Sequence, residues 1–118
     1  MLKKDLIMTR GNTFKKEIKL TTKNNVEIDL ENSNLTKAYF SVKSNVNNTD
    51  VVLQKKLDDG ISISDNLLKV KIDPDETDSL SLGEYYYDVN ITLNGDVYTP
   101  IKGKFIIDWN VTGKENKS

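Results

Sequence analysis

Apolar residues recur at every second position through most of this chain. Phe14, Ile18 and Leu20 share one parity, with Lys15, Glu17 and Lys19 on the other. Val26, Ile28 and Leu30 repeat the pattern, as do Ala38, Phe40 and Val42, and then Val51, Leu53 and Leu57 with Lys55 as the exception. Ile61 and Ile63 follow, then Leu68, Val70 and Ile72. A period of two puts alternate side chains on opposite faces of a strand, one buried and one wet. Lysines on the wet face also discourage edge-to-edge association. Turn-forming residues interrupt the alternation at Arg10-Gly11-Asn12, Lys23-Asn24-Asn25, Asn45 to Asp50, Asp58-Asp59-Gly60, Asp65-Asn66, Asp73-Pro74-Asp75 and Asn94-Gly95-Asp96. Roughly seven to nine short strands at this spacing predict an all-β antiparallel sandwich or barrel. The one helical signal is residues 74–80, a single turn with Asp73 as cap and Pro74 at the first helical position.

The stretch Gly83-Glu84-Tyr85-Tyr86-Tyr87-Asp88-Val89 narrows the choice. Its parity places Tyr85, Tyr87, Val89, Ile91 and Leu93 inward and Tyr86, Asp88 and Asn90 outward. Immunoglobulin-like sandwiches carry a tyrosine at the start of a late core strand, its hydroxyl bonded back to the backbone a few residues upstream. Gly83 and Tyr85 fit that corner. Tyr87 falls where antibody domains hold a cysteine, so a large aromatic is expected to fill the space between the sheets. Its hydroxyl must then find a partner or reach the sheet edge. The expected fold is an immunoglobulin-like antiparallel β-sandwich over residues 1–109, with residues 110–118 as a polar flexible tail.

The following hairpin poses a register problem. Val97, Thr99, Ile101, Phe105, Ile107 and Trp109 share one parity, with Gly103 among them, which makes Trp109 a core-facing structural residue. A two-residue Asn94-Gly95 turn would instead put Val97 on the wet face. Either the loop counts one residue more, or a bulge near Pro100 or Gly103 resets the register.

Composition removes several chemistries. There are 118 residues, enough for one domain, and neither cysteine nor histidine. Disulfides, thiolate nucleophiles, imidazole acid–base catalysis and the usual zinc sites are therefore out of reach. With 17 basic and 18 acidic residues there is no basic excess for nucleic acid. No apolar run is long enough for a membrane-spanning helix, and the N-terminus lacks the apolar stretch of a signal peptide, so a chain made in the cytoplasm is expected. The glycines are scattered singly, without a phosphate-binding pattern. Asp73, Asp75 and Glu84 have the spacing of a calcium loop, but Asp78 stands where such a loop needs glycine and Pro74 lies inside it. No catalytic, cofactor or metal residues are assigned, and no enzyme is expected. Outward Tyr39, Tyr86 and Tyr98 and the loops Asn45–Asp50 and Asp58–Gly60 are the candidate contact surface.

Taken in order, Met8-Thr9-Arg10-Gly11, the Asp73-Pro74-x-x-Thr77 turn and Gly83-x-Tyr85-x-Tyr87-Asp88-Val89 resemble the small immunoglobulin-like domains of tailed-bacteriophage structural proteins. The likeness is to those of the baseplate upper protein and tail-associated type. It covers residues 5–109, and departs where such domains commonly carry Asp in place of Asn12. The resemblance implies a non-enzymatic phage or prophage protein in the virion, assembled in the bacterial cytoplasm. Its partners would be other tail proteins or further copies of itself. The alternatives are a carbohydrate-binding module contacting a host-surface glycan and a phage-encoded inhibitor of a host protein.

Overall fold

A computed structural model describes residues 2–22, 24–45 and 51–109. The expected tail at 110–118 and most of the Asn45–Asp50 loop lie outside the described residues. The strands are β1 (Leu2–Lys3), β2 (Leu6–Thr9), β3 (Phe14–Ile18), β4 (Leu35–Lys43), β5 (Val51–Leu57), β6 (Gly60–Ser64), β7 (Leu67–Ile72), β8 (Gly83–Leu93) and β9 (Asp96–Asp108). A 3₁₀ turn, Pro74–Glu76, separates β7 from β8.

The hydrogen-bonded order is β1-β9-β8-β4-β5-β6-β7-β3, with β2 also on β9. It folds into two layers. The larger carries β5, β4, β8 and β9, edged by β1 and β2; the smaller carries β6, β7 and β3. The chain passes between them after β5, where two parallel pairs, Lys56–Gly60 and Leu57–Ile61, join the layers. Antiparallel β4–β8–β9 and β6–β7–β3 ladders facing one another make an immunoglobulin-like β-sandwich. The margins depart from the purely antiparallel expectation: β1 and β2 run parallel to β9.

The core forms where the alternation placed it. Phe40, Val42, Leu68, Val70, Ile72, Val89, Ile91 and Phe105 are buried from both layers. Phe105 lies edge-on to Phe14, Phe40 and Tyr87 at centroid distances of 5.6, 5.9 and 6.5 Å, and Phe40 stacks on Tyr87 at 5.3 Å.

At one end of the sandwich, residues far apart in sequence meet. The Gly11 N–H donates to Thr77 Oγ1 at 3.1 Å, and Arg10 donates to the Leu80 carbonyl at 3.3 Å. Thr77 is fully buried. Asp73 caps the turn's start, its N–H donating to Glu76 Oε2 at 2.7 Å, with Pro74 in the first position. The Tyr85 hydroxyl donates to the Ser81 carbonyl at 2.8 Å, and Gly83 between them has φ +131°, a region open to glycine. Tyr85→Phe is expected to lower the unfolding free energy in urea by about 1 kcal/mol, the net value of one such bond, without changing the slope of the transition.

Three sequence expectations need correction. Val26 to Leu30 is not a strand: only an isolated Thr21–Glu27 bridge marks it, and Val26 is 61% exposed. Two backbone bonds, Thr22 N–H to the Val26 carbonyl and Ile28 N–H to the Leu20 carbonyl, fold this segment back on the preceding one, and a distant side chain holds the rest. Asn66 Oδ1 accepts from the Leu30 N–H at 2.6 Å, and Asn66 Nδ2 donates to the Ile28 carbonyl at 3.0 Å. Secondly, Trp109 is 60% exposed and does not face the core. It has the parity of Ile107, but β9 ends at Asp108, so no opposing sheet remains to cover the ring. Thirdly, Lys55 is no interruption of the alternation. It points inward at the margin, and its ammonium meets Glu76 at 2.7 Å. A Cβ added at Gly60 would fall 2.1 Å from Lys55 Cε, so that glycine leaves room for the lysine stem.

The register problem resolves at Pro100. Leu93 pairs with Asp96 across a two-residue turn, in which Asn94 and Gly95 both have positive φ. Val97 is then 65% exposed, as that turn requires. Val89 pairs with Ile101 but Ile91 with Tyr98, so β9 gains one residue at Thr99–Pro100. This bulge returns Ile101, Phe105 and Ile107 to the core.

Candidate functional site

Strand β8 alternates Tyr85, Tyr87 and Val89 inward with Tyr86, Asp88 and Asn90 outward. The register lays out the outer face in rows. Tyr86 stands between Lys43 of β4 and Lys104 of β9. In the next row Asp88 stands between Ser41 and Lys102, and Lys102 lies against Lys3 of β1. In the third row Asn90 is opposite Tyr39, itself opposite Lys56 of β5. A shallow depression of about 390 Å³ lies over the first two rows, lined by Lys3, Lys43, Tyr86, Asp88, Lys102 and Lys104 among others.

Its electrostatics are uneven. Glu84 lies 3.3 Å from Lys104, and its hydrogen bond and charge hold that ammonium above the usual lysine range. Half-burial pushes the Asp88 carboxyl up, partly opposed by Lys43 and Lys102. Lys3, Lys43 and Lys102 take part in none of the ion pairs among the described residues. On the outer face of the smaller sheet Lys69 meets Glu17 at 3.2 Å and Lys71 meets Asp73 at 3.9 Å, while Lys15, opposite Lys71, takes part in no ion pair among the described residues. Lysines outnumber acids around the outward tyrosine: Lys3, Lys43, Lys102 and Lys104 line the depression with Asp5 and Asp88.

No family model and no curated protein matches the chain. Among solved structures, a structure of murine CRIg superposes over 90% of this chain and 92% of that chain, at 8% identity and a TM-score of 0.46. That likeness is too slight to carry any inference about this chain.

Beneath the depression, Tyr87 supports the face from inside. Its hydroxyl donates to the Lys4 carbonyl at 2.6 Å, at the break between β1 and β2 where pairing to β9 is interrupted. Asp5 Oδ1 accepts from the Lys104 N–H at 3.0 Å, filling the same break from the other side. Burial pushes the Tyr87 phenol up to about 12, with the Asp5 charge adding to it. A raised folded-state value means that stability is intact below the unfolded value of 10.0 and is lost as pH rises toward about 12. Chemical unfolding at pH 9 and pH 12 is expected to show a loss of about 2 kcal/mol attributable to this group, absent in Tyr87→Phe.

The tyrosines expected to form one contact surface do not meet. Tyr86 and Tyr39 share the outer face but stand two rows apart, about 13 Å along the strands. Tyr98 is exposed but is not on that face. It pairs with inward Ile91, so it points to the core side beyond the cover of the smaller sheet. The Asp58–Gly60 loop lies at the crossing between layers, its backbone tied to Lys56 and Ile61. Asp73 and Glu84 of the calcium-like spacing are engaged with Lys71 and Lys104, and no metal-binding cluster occurs among the described residues. Lys3, Lys43 and Lys102 were not singled out by the sequence, and Asp88 was read there only as an outward position within a motif. Each reads there as an ordinary wet-face residue, and only the register brings them around Tyr86.

Proposed function

We propose that the chain is a non-enzymatic structural module of a tailed-phage or prophage particle, an assembly or adhesion domain of the tail or baseplate. It docks on an acidic neighbouring protein through the outer face of the larger sheet. The observation that carries this reading is the set of lysines around outward Tyr86, Lys3, Lys43 and Lys102, which make no salt bridge among the described residues, Lys43 and Lys102 sharing the nearby Asp88 charge. Tyrosine supplies contact area at low entropic cost, and a local excess of cations favours an acidic partner and steers its approach. The phage context rests on the sequence motifs at residues 8–11, 73–77 and 83–89.

Particles banded from an induced lysate are expected to contain the chain. A Lys43→Glu/Lys102→Glu double variant is expected to stay folded but be depleted from the particles, and raised salt is expected to release the wild-type chain. A chain found wholly outside particles, bound to a host protein, would overturn the structural reading. Glycan binding that disappears in Tyr86→Ala would replace the protein partner with a carbohydrate.

A further inference from the structure

The upper part of β9 has an open side. Strand β1 meets β9 at Ile101 and Lys102, and β2 meets it from Phe105 to Asp108. Among the described residues no strand lies against Asp96–Pro100 on that side. In a two-residue hairpin the flanking residues, here Leu93 and Asp96, form a hydrogen-bonded pair. The next pair, Thr92 and Val97, is then a non-bonded one, so the Val97 N–H and C=O point away from β8 toward the open edge. A row of unsatisfied backbone groups is a template for another strand. Pro100, which has no N–H, ends the usable stretch.

An apolar groove of about 520 Å³ lies beside this edge, within the range of about 300–1,000 Å³ usual for ligand clefts. Its walls are Ile28, Leu93, Tyr98 and Pro100, closed by Thr21 and Thr22 of the loop before β4. The Asn94-Gly95 turn places Tyr98 opposite Ile91 on the core side, and the bulge that follows returns Ile101 to that side below it. Among the described residues, Asp29 is the one charged residue lining it.

We infer that this edge and groove bind an extended segment of another protein by strand addition along Val97–Thr99. One apolar side chain of the segment enters the groove, and a lysine or arginine two residues away, on the same face of the segment, meets Asp29. Strand addition takes its affinity from main-chain bonds and its selectivity from pockets for alternate side chains, and both parts are present here. The incoming strand continues the line of β1, which occupies the same edge lower down. The site is separate from the lysine-flanked face and does not depend on it.

The test is a titration of isotopically labelled protein with the peptide acetyl-Thr-Lys-Thr-Leu-Thr-Val-amide, whose Lys, Leu and Val share one face, followed by amide chemical shifts. Shifts are expected at Leu93, Val97, Tyr98, Thr99 and Ile28. Val97→Pro removes the edge N–H without touching the β8 ladder and is expected to weaken binding about tenfold or more. Tyr98→Ala, which removes a groove wall, is expected to do the same and serves if the proline variant unfolds. No shifts at Val97–Thr99 with millimolar peptide, or unchanged affinity in both variants, would overturn the inference. So would shifts of the same amides with protein concentration alone, which would assign the edge to a second copy.

Discussion

Gly103→Ala is expected to lower the unfolding free energy by about 2–5 kcal/mol, far more than one added methyl group usually costs. The cause is space. A Cβ on Gly103 would stand 2.1 Å from the Lys4 carbonyl oxygen and 2.7 Å from its carbon, both backbone atoms. Lys4 cannot swing aside like a side chain, so the β1–β2 break must lift from β9. Lifting it removes the acceptor of the buried Tyr87 hydroxyl and pulls Asp5 from the Lys104 N–H. A second readout separates this from general destabilisation: the Tyr87 phenol is expected to titrate below its native value of about 12. Gly95→Ala is the contrasting variant. That site has open space but φ +86°, so only backbone strain of about 1 kcal/mol is expected.

Phe105→Ala is expected to cost about 3–5 kcal/mol, lowering the melting temperature by roughly 10–20 °C. Phe105 is fully buried and contacts three other rings, from β3, β4 and β8. Truncating it opens a cavity between the sheets that rigid strands cannot collapse to fill. Phe105→Leu retains most of the apolar volume and loses the edge-to-face geometry, so about half that loss is expected. Calorimetry on the three proteins distinguishes cavity formation from loss of ring contacts.

Much of the architecture was legible because burial on one face forces a period of two, as in Phe40-Val42 and Leu68-Val70-Ile72. The Tyr85 corner and the Asp73-Pro74 turn were legible because each needs particular residue types a few positions apart. The resemblance motifs meet in space at one end of the sandwich: Arg10-Gly11 bonds the Thr77–Leu80 segment, and Tyr85 bonds Ser81. Their spacing therefore records how the loops are locked, not what the protein touches. Val26 to Leu30 misled because alternation cannot tell a sheet strand from a loop folded back on Leu20–Thr22 and held further by a distant side chain, here Asn66. Trp109 misled because parity continues past the end of a strand, while cover does not. The lysines around Tyr86 were invisible for a different reason. Cross-strand neighbours depend on register, and the register of β9 depends on where its bulge falls.

Lysine acetylation of the isolated chain and of the chain within purified particles, compared residue by residue by mass spectrometry, tests the proposed docking face most directly. Lys3 and Lys102 are expected to react in isolation and to be protected in the particle, while Lys15 and Lys71, on the smaller sheet, react equally in both. Equal reactivity of Lys3 and Lys102 in the two states, or protection confined to Lys15 and Lys71, would contradict a partner on the larger sheet.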